Sequence, residues 1–96
     1  MARYEIGEGA KIKIPENVKS GIDSKGIPFW KFPVRISTQI NGENVPFDTI
    51  WLKIIGKPFD GWLQINRIIK LNFARARNSN GGIIIFRTLL VDVEKV

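Results

Sequence analysis

Basic and aromatic side chains occur together in the second half of this chain, between Thr49 and Val91. This segment contains seven Lys or Arg residues and one acid, Asp60, whereas the rest of the chain contains eight basic and eight acidic side chains. Five aromatic residues are interleaved with these charges: Trp51, Phe59, Trp62, Phe73 and Phe86. Cations neutralise phosphates and flat rings stack on unpaired bases, so the combination is typical of a surface that holds single-stranded nucleic acid.

The composition excludes several kinds of catalytic and metal site. The 96 residues include no cysteine and no histidine, so a disulfide, a zinc site of thiolates or imidazoles, and a Ser-His or Cys-His nucleophile pair are all ruled out. No spacing among the nine carboxylates suggests metal ligation. We therefore expect no catalysis, no metal and no cofactor, and an enzyme such as a nuclease is the least favoured class.

Length and charge limit the partners of the chain. Residues 1–96 are too few for two cores, so we expect a single domain, and its small size favours a homodimer or homotetramer. The formal net charge of +6 and the sequence pI of 10.0 favour a polyanionic partner. The start has no apolar core of signal-peptide length, and the longest apolar run, Ile83 to Phe86, cannot span a bilayer. These features predict a cytoplasmic protein without a membrane partner.

Hydrophobic alternation predicts two strands and a long loop in the first forty residues. Arg3 to Ile14 is expected to be the first strand, with an interruption at Gly7 and Gly9, and Glu16 to Pro28 is expected to be a polar loop. Phe29 to Thr38 is the clearest strand, because Trp30, Phe32, Val34 and Ile36 share one face. Pro33 lies on the other face and cannot donate a ladder hydrogen bond, which predicts an edge position or a bulge.

Turn residues divide the rest of the chain into three further strands. Asn41-Gly42 predicts a hairpin into a third strand, Val45 to Ile55, with Ile50, Leu52 and Ile54 facing inward. One helical turn is expected over Phe59 to Gln64, after Pro58. The fourth and fifth strands are predicted at Arg67 to Arg77 and Ile83 to Val93, joined by a polar loop.

Five strands with one helical turn between the third and fourth predict an all-β barrel of the OB type. An SH3-like barrel would also have five strands but would usually lack a helix at that point, so it ranks second.

Three stretches of the chain resemble single-stranded DNA-binding proteins of the bacterial kind. FWKFPVRIST is similar to the second strand of that family, DTIWLKIIGK to its third, and IIKLNFARARNSNGGIIIFRTLLVDVEKV to its closing hairpin. Together they cover about two-thirds of the chain. The resemblance implies an OB-fold, non-catalytic protein that protects single-stranded DNA in replication, recombination or repair, in a minimal form without the family's acidic C-terminal tail.

The resemblance also implies which residues contact the nucleic acid. Bases would stack on aromatic side chains of the outer barrel face, and phosphates would bind Lys and Arg. The implied contact residues are Phe29, Lys31, Arg35, Trp51, Lys53, Lys70, Arg75, Arg77 and Arg87. Lys70 and Arg75 have opposite phase on the fourth strand, so a bulge between them is needed to place both on the outer face.

Other interpretations of the same residues stay open. Trp51 is an outward-facing aromatic, and a subunit interface would explain it as well as base stacking. Phe29 could close the barrel end, and Trp62, Phe73 and Phe86 are favoured as core. A small structural or assembly protein is therefore the alternative function. RNA fits the same residue types as DNA, because the 2′-hydroxyl contact leaves no mark in the sequence.

Overall fold

Eight strands, joined in one sheet, form the regular structure of the described residues. The computed structural model describes residues 3–40, 42–44, 48–56, 64–76 and 88–96, and for residues 43 and 73–76 it describes the backbone. The strands are β1 (Arg3–Ile6), β2 (Lys11–Lys13), β3 (Lys19–Ile22), β4 (Pro28–Ile40), β5 (Glu43–Asn44), β6 (Thr49–Ile55), β7 (Ile68–Ala76) and β8 (Thr88–Lys95). These ranges contain no helix. Consequently, no membrane-crossing helix is found within them.

The sheet curves into a nearly closed barrel. β4 pairs antiparallel with β6, β6 parallel with β8, β8 antiparallel with β7, and β7 antiparallel with β2. On its other side β4 pairs with β3 and, in parallel, with β1. β2 and β3 follow each other in the chain, so the path returns close to the strand from which it started. The fold is therefore all-β, as the sequence predicts.

The barrel interior is filled by apolar side chains. The buried residues include Trp30, Phe32, Val34 and Ile36 on β4, and Ile50, Leu52 and Ile54 on β6. The rings of Trp30 and Phe32 stack with their centroids 5.8 Å apart. No polar or charged side chain among the described residues is buried. Successive side chains of a strand point to opposite faces, and the buried residues of β4 and β6 are the ones predicted to face inward. The predicted inward faces are therefore confirmed.

Pro33 lies on β4 at a gap between two partner strands. Along β4, the pairing with β3 ends at Lys31, and the pairing with β1 begins at Arg35. The amide of Ile36 donates to the Asp48 carbonyl (2.8 Å) and the Pro28 carbonyl accepts from the Gly56 amide (2.9 Å), so even-numbered residues of β4 bond toward β6. The backbone of Pro33 therefore faces the gap, where no ladder hydrogen bond is needed. Pro33 is therefore at a local edge, as predicted, although β4 is paired on both sides over most of its length.

The structure corrects two predictions about the first thirty residues. The expected first strand is two strands, β1 and β2, which are separated by the segment that contains Gly7 and Gly9. The expected loop from Glu16 to Pro28 contains β3, which pairs with β4 through a tight turn. In this turn, the Asp23 carboxylate accepts hydrogen bonds from the amides of Lys25 and Ile27, both at 2.9 Å. With these strands and β5, the described residues form eight strands rather than five.

The bulge predicted on the fourth strand is confirmed. The register between β7 and β8 shifts between Leu71 and Phe73, so Asn72 is an extra residue on β7. The hairpin predicted at Asn41-Gly42 agrees with the pairing of β4 and β5 on either side of Gly42, whose φ is +83°. Residues Phe59 to Leu63 of the predicted helical turn, which include Trp62, lie outside the described residues. The same holds for Phe86 and for Val45 to Phe47 of the expected third strand.

Candidate functional site

Three lysines form a row across three neighbouring strands on the outer face of the barrel. The register aligns Lys19 of β3 with Lys31 of β4, and Lys31 with Lys53 of β6. Neighbouring strands lie about 4.8 Å apart, so the row extends about 10 Å across the sheet. We call Lys19, Lys31 and Lys53 the lysine row. It places three cations on a line that crosses the strands.

An aromatic residue lies on each side of the lysine row. Trp51, two residues before Lys53 on β6, is aligned with Pro33, and Phe29, two residues before Lys31 on β4, is aligned with Gly21 and Ile55. Both rings are half-buried. The row of cations is therefore flanked along the strand direction by one ring on either side.

The lysine ammonium groups contact these rings. The Nζ atoms of Lys31 and Lys19 lie 5.2 and 5.4 Å from the Trp51 ring centroid, and Nζ of Lys53 lies 4.5 Å from the Phe29 centroid. Cations at these distances are attracted by the negative face of the ring, and the attraction at an exposed site is worth about 0.5–1 kcal/mol. The contacts hold the lysines and the rings together in one surface.

Gly21 makes room for the Phe29 ring. A Cβ atom at Gly21 would lie 3.0 Å from Cζ of Phe29, closer than ordinary van der Waals contact. Because Gly21 has no side chain, the ring can lie against β3 at this point. The choice of residue at position 21 thus determines where the Phe29 ring lies.

The lysine row is free of ion pairs within the described part of the chain. No described carboxylate lies within ion-pair distance of Lys19, Lys31 or Lys53. Three like charges at one place on a sheet repel each other and are best stabilised by an external anion. This surface can therefore attract a polyanion and offer it two flat rings.

Arg35, another predicted contact residue, is held by an acid. Its Nη2 lies 3.0 Å from Oδ2 of Asp48, which also receives Nη2 of Arg3 at 2.9 Å. The hydrogen bond and charge of Asp48 raise the pKa of Arg35, and the hydrogen bond from Arg35, with the charges of both arginines, lowers the pKa of Asp48. Arg35 is one row beyond Trp51, away from the lysine row, and its charge is partly neutralised.

Lys70 is also paired with an acid and lies away from the lysine row. Its Nζ is 2.8 Å from Oε1 of Glu94, and the hydrogen bond and charge of Glu94 raise the pKa of Lys70. Lys70 is aligned with Glu94 on β8, and Glu94 is four residues from Leu90, the β8 residue that is aligned with Lys53. The structure does not bring Lys70 together with the lysine row.

The remaining predicted contact residues are described in part or not at all. The backbone of Arg75 is aligned with Leu90, so its position continues the lysine row on β7. Arg77 and Arg87 lie outside the described residues. The structure therefore brings four predicted residues together: Phe29, Lys31, Trp51 and Lys53.

Lys19 belongs to the site but is not among the contact residues predicted from the sequence. It lies in the segment predicted as a loop, and nothing in Lys19-Ser20-Gly21-Ile22 has strong strand propensity. The signal that could have found it is the turn Asp23 to Gly26, directly before the clearest strand. A tight turn at that place predicts a hairpin, and a hairpin requires a partner strand over Lys19 to Ile22.

The described residues contain no group of three or more His, Cys, Asp or Glu side chains arranged to hold a metal ion. What the arrangement offers chemically is charge and stacking: ammonium groups for phosphate oxygens and ring faces for planar groups.

Comparison of the chain with family models, curated proteins and solved structures found no match to any of the three.

Proposed function

We propose that this chain binds single-stranded DNA, without sequence preference and without catalysis, on the outer face of the barrel. The observation that carries the proposal is the lysine row flanked by Trp51 and Phe29, with no described carboxylate paired to its cations. Phosphates bind the ammonium groups and release counterions, while bases stack on the rings. In duplex DNA the base faces are covered by the neighbouring base pairs, so the single strand is favoured.

The strand pairing supports an OB-type barrel for this function. If β2 and β3 are counted as the two halves of one interrupted strand, β4, β6, β7 and β8 complete a five-stranded barrel that closes through β2 and β7. Nucleic acids bind to OB barrels on the outer face of strands two and three, which here are β4 and β6. Lys31, Lys53, Trp51 and Phe29 all lie on these two strands.

The wider role follows from the same proposal. A relative of the bacterial single-stranded DNA-binding proteins would act in the cytoplasm as a homodimer or homotetramer. It would protect exposed single strands during replication, recombination or repair.

A fluorescence titration tests the proposed function. Tryptophan emission is followed while oligo-dT is added at low and at high salt, with duplex DNA of the same sequence length as control. We expect quenching by oligo-dT, an affinity that falls steeply as salt rises, and little response to duplex. Oligo-rU in a parallel titration determines whether RNA binds equally well.

The variant Trp51→Ala assigns the quenching to one ring. Trp30 is buried, whereas Trp51 is half-buried on the outer face. Loss of one stacked base weakens oligo-dT binding by about 1–3 kcal/mol, while the denaturant unfolding midpoint changes little. An unchanged dissociation constant in the folded variant would contradict the role of Trp51.

Exposed isoleucines near Phe29 favour a second candidate, a structural or assembly protein. Ile22 is 72% exposed and Ile55 is 41% exposed, and Ile55 is aligned with Phe29. Exposed apolar side chains that lie close together are typical of protein–protein interaction sites. Self-association that persists at high salt, measured by sedimentation, together with no response to oligo-dT, would favour this function over DNA binding.

A further inference from the structure

The two rings beside the lysine row are far apart compared with neighbouring bases. Phe29 and Pro33, the partner of Trp51, are four residues apart on β4, which is about 13 Å along the strand. Successive bases on one strand of a duplex are about 3.4 Å apart. Two bases held by Trp51 and Phe29 are therefore not stacked on each other.

The cations between the rings match more than one phosphate. Lys19, Lys31 and Lys53 lie in a single row between the levels of Trp51 and Phe29, and no described carboxylate pairs with them. Two phosphodiester groups can share these three cations, and two phosphodiester groups join three nucleosides. The number of charges and the separation of the rings thus agree on a unit of three nucleotides.

The middle nucleotide of such a unit finds no ring. The described outward positions between the levels of Trp51 and Phe29 are occupied by the three lysines, by Leu90 on β8 and, next to Leu90, by Arg75 on β7. None of these side chains is aromatic. Among the described side chains, the central base therefore meets no aromatic ring on which to stack.

We propose that one chain binds a three-nucleotide unit, in which the outer bases stack on Trp51 and Phe29, two phosphates lie on the lysine row, and the central base makes no stacking contact. This inference rests on the proposed function, since it specifies the ligand of the same surface. It implies that base identity, and even the presence of a base, is unimportant at the centre of each unit.

Four thymidine trinucleotides with equal charge test the proposal. One is complete, one lacks the central base, and two lack either the first or the last base; all four carry the same two phosphodiester groups. Each is used at low salt to displace a labelled oligo-dT from the protein. We expect the complete and the centrally abasic ligand to compete within about twofold of each other, and both end-abasic ligands to be at least about fivefold weaker.

The variant Phe29→Ala identifies the ring that holds one end. In this variant one of the two end-abasic trinucleotides should compete as well as the complete one, because the base it lacks has no ring to occupy. The other end-abasic ligand should stay weaker, since Trp51 still holds its base. Phe29→Leu, which keeps the apolar bulk of the side chain, controls for a general disturbance of the barrel surface.

The outcomes separate this inference from the proposed function. If loss of the central base weakens competition as much as loss of an end base, the bound bases are neighbours and the three-nucleotide unit is wrong, although binding of the labelled oligo-dT still supports the proposed function. Equal competition by all four ligands would show that bases are not held at all. If the labelled oligo-dT itself does not bind, both proposals fall.

Discussion

Asp48 determines how much positive charge the outer face offers beyond Trp51. Its carboxylate binds both Arg3 and Arg35, and this pairing keeps its pKa below the usual value. A carboxyl group whose pKa is lower in the folded than in the unfolded protein stabilises the fold at pH values above its unfolded pKa, about 4. That contribution is lost as the pH falls through the folded pKa. Asp48 therefore favours folding at neutral pH and restrains two cations.

Asp48→Asn should strengthen DNA binding and remove an acid-sensitive part of the stability. The variant releases Arg35, so at pH 7 we expect tighter oligo-dT binding at low salt and a steeper salt dependence, with the slope increased by about one phosphate contact. Denaturant unfolding at pH 7 should show a loss of stability, and the difference from the unchanged protein should shrink as the pH is lowered below 4.

Glu16→Gln is the matched control for this variant. Glu16 is exposed, forms no ion pair with another described residue, and its replacement changes the net charge by the same amount. An equal gain of affinity in both variants would show that net charge, and not the release of Arg35, is responsible.

At the scale of the element, periodicity predicts the strands whose two faces differ strongly. In β4 and β6, buried apolar residues alternate with outward residues that are mostly polar or aromatic, and the inward faces are predicted correctly. β3 lacks that contrast, because Lys19-Ser20-Gly21-Ile22 is mostly exposed and stays in the sheet through its pairing with β4. A strand without a buried face has no alternation of apolar and polar residues, so its own sequence gives little indication that it is a strand.

Gly21→Ala should weaken DNA binding by displacing the Phe29 ring. The new Cβ would lie 3.0 Å from Cζ, the far end of a side chain that can move, so the ring shifts and the fold persists. We expect the loss of at most one stacked base, about 1–3 kcal/mol of binding free energy. The free energy of unfolding should change by less than about 1 kcal/mol.

A double-mutant cycle checks the origin of this effect. In a protein that already carries Phe29→Ala, the exchange of Gly21 for alanine should leave the dissociation constant unchanged, because the ring it would displace is gone. A further loss of affinity in the double variant would place the effect of Gly21 elsewhere on β3.

At the scale of the whole molecule, the lysine row combines one residue of the basic segment, Thr49 to Val91, with two residues from the rest of the chain. The net charge lies between Thr49 and Val91, yet two of the three row lysines, Lys19 and Lys31, belong to the balanced remainder. The register between β3, β4 and β6 brings them beside Lys53. The register of strand pairing depends on contacts between distant segments, so it cannot be predicted from the distribution of charges along the sequence. Lys70 shows the converse, since it lies in the basic segment and pairs with Glu94.

Placement, rather than total charge, should therefore control DNA binding. Lys53→Gln and Lys95→Gln each reduce the net charge by one, but Lys95 lies near the end of β8, five residues from the position aligned with Lys53. We expect Lys53→Gln to weaken oligo-dT binding at low salt and to reduce the salt slope by about one. Lys95→Gln should leave both quantities nearly unchanged. Equal effects in salt-dependent titrations would indicate a diffuse attraction by net charge.

The gap beside Pro33 has a consequence for the behaviour of many molecules together. An unpaired stretch of strand is a template on which another chain can add a strand, and this is a common start of aggregation. On β4, the backbone of residue 33 faces the gap between the registers of β3 and β1. A proline at this place has no N–H group to offer to an incoming strand. Pro33, which interrupts the hydrogen-bond ladder of β4, thus also protects the gap between β3 and β1 against pairing with a strand of another molecule.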